Sequence, residues 1–152
     1  MDILTENQQH AIAERIVRDF GDGVLKGEVY LFDQIIGALG CRVRLSDVLP
    51  KIADEKDVVV LLDRHPNNHQ FAQQLMRHLG VSDAWGVTVP TEQLQGILRF
   101  IDCDLYVTTL HGRLLLVACH EDVWVDDDRT VWSPLKRLAA RAIWCNRRGE
   151  SR

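Results

Sequence analysis

The spacing of apolar residues changes along the chain, and each change marks a different kind of element. Near the start the spacing is helical: Ile12, Ile16 and Phe20 recur every four residues, on one face of a helix. Thr5-Glu6-Asn7-Gln8 precedes that face in the form of a capping box, with the Thr5 hydroxyl meeting the Gln8 amide and the Gln8 side chain reaching back. A first helix is therefore expected to run to about Phe20, where Gly21, Gly23 and Gly27 break it. Phe32, Ile35, Ile36 and Leu39 predict a second helix over about 28–39, stopped by Gly40. Cys41 to Leu45 alternates like a short half-exposed strand, and Ser46 is placed to cap a further turn or two through Ile52.

From Asp57 the pattern becomes one of alternating strands and helices. Val58 to Leu62 is apolar at every position, which predicts a strand covered on both faces at the centre of a sheet. Pro66 opens an expected helix with Phe71, Leu75 and Leu79 as its stripe and Gly80 as its stop. Trp85, Val87 and Val89 alternate with Gly86 and Thr88 up to Pro90, and Thr91 is placed to cap a helix carrying Leu94, Ile97, Leu98 and Ile101. Residues 104–110 and 113–119 read as an antiparallel pair around His111-Gly112. A strand around Val123-Trp124-Val125 continues the meander before a turn at 126–129, and Ser133-Pro134 opens a last helix to about Asn146. This order predicts an α+β fold. A mixed, mostly antiparallel sheet of about five strands carries packed helices, with a parallel crossover early and hairpins later.

The chain has 152 residues, enough for one domain with its own core. Its longest apolar runs, Val58–Leu62 and Leu114–Cys119, are too short to cross a bilayer, and MDILTENQQH lacks the basic start and apolar core of a signal peptide. A cytoplasmic protein without membrane association is expected. Cys41, Cys103, Cys119 and Cys145 form no C-x-x-C pair, so they read as small packed thiols rather than as a zinc or redox motif.

Charge changes the picture. Residues 1–128 hold 11 Lys/Arg against 21 Asp/Glu, whereas residues 129–152 hold 7 against 1. Such asymmetry points to a charged partner. The acidic part ends in its densest cluster, Glu121, Asp122, Asp126, Asp127 and Asp128 around Trp124. These carboxylates would attract a cationic surface with Trp124 as the anchor; the plainer reading is a solvated acidic turn with Trp124 facing the core. The cluster lacks the D-x-D-x-D-G spacing of a calcium loop.

Three other groupings carry possible chemistry. Asp63, His65 and His69 follow the central strand, where ligands bind in open α/β sheets, and two imidazoles with a carboxylate can hold a transition metal; as turn formers before a Pro-led helix they also need no metal. Cys119-His120-Glu121 lines up a nucleophile, a base and an acid, but neighbours on a strand point to opposite faces, which separates the thiol from the imidazole. Arg137, Arg141, Trp144 and Arg148 share one face of the expected last helix and could clasp nucleic acid. The acidic body repels phosphates, so that helix is read instead as packed through Leu135, Leu138, Ala142 and Cys145. No catalytic residue and no cofactor is assigned.

The strand pair DLYVTTLHGRLLLVACHEDVW followed at once by an acid-rich turn, in a small acidic domain, resembles the small immunity proteins of bacterial toxin systems, including those of contact-dependent growth inhibition. The resemblance covers residues 104–128 and carries over no functional residue. It implies a cytoplasmic, non-enzymatic protein that occludes the active domain of a toxin, often a basic nuclease. The alternatives are a small α/β enzyme or metal-binding protein using Asp63, His65 and His69, and a nucleic-acid-associated regulator using the C-terminal basic helix.

Overall fold

In the computed structural model the capping box is formed: Thr5 Oγ1 accepts the Gln8 amide at 3.1 Å, and the Thr5 amide donates to Gln8 Oε1 at 2.8 Å. Helix α1 (Glu6–Phe20) follows, with Ile12, Ile16, Val17 and Phe20 buried. The structure describes residues 2–21, 23–26, 31–35, 37, 39–62, 73, 77, 85–100, 104–110, 114–118, 124–125 and 128–134. Of the expected Pro66-led helix only Gln73 and Arg77 are among these, both helical, and the helix expected beyond residue 134 lies outside them.

Eight strands are described: β1 (Asp2–Ile3), β2 (Leu39–Arg44), β3 (Asp57–Leu62), β4 (Gly86–Pro90), β5 (Leu105–Thr108), β6 (Leu115–Ala118), β7 (Trp124–Val125) and β8 (Asp128–Pro134). Seven lie in the order β1-β4-β3-β5-β6-β8-β2, and β7 pairs with β8 off this path. Every described pairing is antiparallel. The fold is α+β, with more strands than the five expected.

Where the parallel crossover was expected, β3 and β4 pair antiparallel, Asp57 opposite Pro90 and Leu61 opposite Gly86. The chain therefore leaves β3 and re-enters β4 at the same end of the sheet. An apolar run reports burial on both faces but not direction, so the pattern could not tell a crossover from a long-armed hairpin. The burial itself is as expected. Val58, Val60 and Leu62 join one core with Val87, Val89, Leu94, Ile97 and Leu98, while Val59 and Leu61 join another with Ile12, Ile16 and Phe20. Helix α1 and α2 (Leu31–Ile35) cover one face; α3 (Leu45–Val48), the 3₁₀ turn after it and α4 (Leu94–Phe100) cover the other. The hairpin of β5 and β6 also forms, Leu105 opposite Ala118 and Thr108 opposite Leu115.

The second helix is short, and Leu39 and Gly40 belong to β2, where the ladder to β8 outcompetes one more helical turn. Gln34 fastens the loop after α1, its Nε2 donating to the Val24 carbonyl at 2.6 Å and its Oε1 accepting the Lys26 amide at 2.9 Å. Thr91 is the first residue of a 3₁₀ turn (Thr91–Gln93) whose cap position Pro90 holds; its hydroxyl donates to the Glu55 carbonyl at 2.6 Å and ties the end of β4 to the loop before β3. Ser133 and Pro134 are the last residues of β8, opposite Cys41 and Leu39, rather than a cap and first helical turn. Among the described residues no helix is long and apolar enough to cross a membrane.

Candidate partner-binding hairpin

Strand β8 is the seam of the candidate site. Its C-terminal part lies in the sheet, with Val117 of β6 on one side and β2 on the other; its first residues pair with β7, Trp124 opposite Arg129 and Val125 opposite Asp128. Residues 126–129, expected as a turn, thus contain the start of a strand. β7 does not continue the meander from β6; β8 takes that place. The cause is local. Asp128-Arg129-Thr130-Val131-Trp132 lacks a clean apolar alternation, and Asp128 looks like a turn residue until its partners are known.

Those partners lie across the sheet edge. The β2–β8 ladder ends at Arg44 opposite Thr130, because the chain turns at Leu45 into α3. Two residues further along β8, the Asp128 carboxylate takes up the contact that the backbone gives up. Its Oδ2 accepts Arg44 Nε at 3.0 Å and the Ser46 hydroxyl at 2.5 Å, and its Oδ1 accepts the Ser46 amide at 3.2 Å. A carboxylate at the first turn of a helix satisfies an amide that has no partner within the helix. Ser46 was expected to cap this turn. It lies inside it, Arg44 holds the cap position without a side-chain bond to the helix amides, and Asp128 bonds the Ser46 amide.

Asp128 is 8% exposed, whereas the Arg44 side chain is 47% exposed. Of the five acidic residues assigned to a partner surface, Asp128 is therefore turned inward and engaged within the chain. Glu121, Asp122, Asp126 and Asp127 lie outside the described residues, and Trp124 is described by its backbone register alone. The alternative metal set Asp63, His65 and His69, the Cys119-His120-Glu121 triplet, and the basic face of Arg137, Arg141, Trp144 and Arg148 also lie outside them. Among the described residues no group of three His, Cys, Asp or Glu side chains is placed to hold a metal ion.

Sequence reasoning missed two arginines that fix loops and edges. Arg42 on β2 stands opposite Trp132 of β8, its guanidinium carbon 4.9 Å from the ring centroid, a cation–π contact on the outermost strand pair. Arg15 of α1 reaches the end of β5, donating to the Thr109 carbonyl at 2.6 Å and the Leu110 carbonyl at 2.7 Å. Burial lowers the pKa of Arg15, opposed by Asp19 one turn on. The planar fork explains why an arginine serves there, since two carbonyls are met at once. Neither residue stood in a recognisable pattern, because each acts across a long sequence gap.

No family model, curated protein or solved structure matches the chain.

Proposed function

We propose that this chain is a non-enzymatic binding protein that neutralises a bacterial toxin in the cytoplasm by covering its active domain, and that the acid-rich stretch around β7 and the start of β8 meets a basic surface of that toxin. The observation that carries the reading is the attachment of this stretch. β7 is held by β8 alone among the described strands, outside the main path of the sheet, and its base is pinned by a buried carboxylate. Acidic residues flanking such a hairpin in sequence supply charge complementarity to a basic partner, which speeds encounter and selects against acidic proteins. The charge split between residues 1–128 and 129–152 supports the same reading.

The test is genetic and biochemical together. An immunity gene is expected directly after the gene of its toxin, so the toxin domain encoded upstream is expressed with and without this chain. Restored growth and a stable complex are the expected results. Toxin activity undiminished by an equimolar amount of the folded chain contradicts the proposal.

A further inference from the structure

Resting on that reading of the hairpin, we propose that Asp128 is a positioning residue, not a contact: it locks the paired strands β7 and β8 to the start of α3, so that β7 is presented to a basic partner in one orientation. Backbone pairing cannot do this alone. Beyond Arg44 opposite Thr130 the strand β2 ends, and among the described strands Asp128 and Arg129 pair with β7 alone. A two-residue ladder is weak by itself, since short isolated hairpins are marginal in water. Asp128 supplies three bonds at the place where the ladder stops, from Arg44 Nε, the Ser46 amide and the Ser46 hydroxyl. Two of these come from Ser46 at the first turn of α3, and α3 is anchored in the core by Leu45 and Val48. The hairpin base is thereby coupled to a rigid element rather than to an exposed loop. Presentation in one orientation reduces the ordering cost that binding would otherwise incur.

The lock is tested on the chain alone by hydrogen exchange of a peptide spanning 122–130, in wild type, Asp128→Asn and Ser46→Ala. Asp128→Asn keeps the shape of the side chain and removes its charge, and Ser46→Ala removes one bond with little risk to folding. Exchange over 122–130 is expected to rise about tenfold or more in Asp128→Asn and by less in Ser46→Ala, with β3 and β5 unchanged. Unaltered local exchange in both variants overturns the proposal, as does a uniform rise across the whole sheet, which is the mark of plain destabilisation.

A second arm separates positioning from contact, with a deca-lysine peptide as the cationic probe. Asp127→Asn is expected to flatten the salt dependence of binding, because one of the charges that the proposed function assigns to the partner surface is lost. Asp128→Asn is expected to leave that dependence as in wild type. An equal flattening by both variants makes Asp128 one more contact carboxylate and removes its special role. Wild-type protein that ignores deca-lysine at low salt counts against the partner reading, while the exchange arm still decides the lock.

Discussion

A Cβ added to Gly86 would lie 2.9 Å from Gln9 Cγ, because the start of α1 passes directly over the first residue of β4. The approach is held by two bonds: the Leu4 amide donates to the Gly86 carbonyl at 2.8 Å, and Gln9 Nε2 donates to the Leu4 carbonyl at 2.9 Å. Gln9, a polar residue on an otherwise apolar face, is thereby buried with a partner, as a buried amide requires. The Gly86→Ala change is expected to cost about 1–3 kcal/mol by overpacking. Combining it with Gln9→Ala should cost less than the sum of the two single changes, since the second removes the Cγ that the first strikes. Denaturant titration of the four proteins measures this; strict additivity would mean that the two sites do not touch.

Burial of β3 on both faces makes a different kind of prediction. Leu61 and Leu62 are neighbours that point to opposite cores. Each leucine-to-alanine change is therefore expected to cost about 2–5 kcal/mol. In a strand with one solvent face only one of the two would matter. Equilibrium unfolding of both variants decides it, and a cost under about 0.5 kcal/mol at either position contradicts the packing described.

How much of this was legible in the sequence depends on how far each cause lies along the chain. Thr5 and Gln8 are three residues apart, and their capping box was readable in full. The run Val58–Leu62 announced a central strand because burial on both faces leaves every position apolar. What the run could not announce was the direction of its neighbour, so β3 and β4 were expected parallel and are antiparallel. In the sequence Asp128 looks like one carboxylate of a surface cluster, because its partners Arg44 and Ser46 lie more than 80 residues earlier. Ser133 and Pro134 look like a helix start for the same reason: their ladder to β2 depends on residues 39–41. Residue type and short spacing reveal local bonds; long-range pairing overrides them without leaving a local trace.

The basic residues near the C-terminus offer a prediction that separates partner classes. If Arg137, Arg141, Trp144 and Arg148 gripped nucleic acid, oligonucleotide binding would weaken steeply with salt as neutralised phosphates release their counterions. The expected result for the intact protein is no such binding at physiological salt, because the acidic body opposes it. Tight, salt-sensitive binding that disappears in an Arg137→Ala/Arg141→Ala protein would replace the toxin-binding reading with a nucleic-acid one.

The central claim is that a basic partner meets the acidic stretch around the hairpin, and the association rate measures it most directly. The reversal to make is Asp126→Lys with Asp127→Lys; Asp128 must be left alone, since its carboxylate serves the fold. Stopped-flow association with the toxin domain encoded upstream, followed from low to high salt, is expected to show a fast wild-type rate that falls as salt rises. The double reversal should be slower at low salt and nearly independent of salt, with unfolding unchanged. Wild-type and reversed proteins that associate at the same rate across the whole salt range would contradict the account.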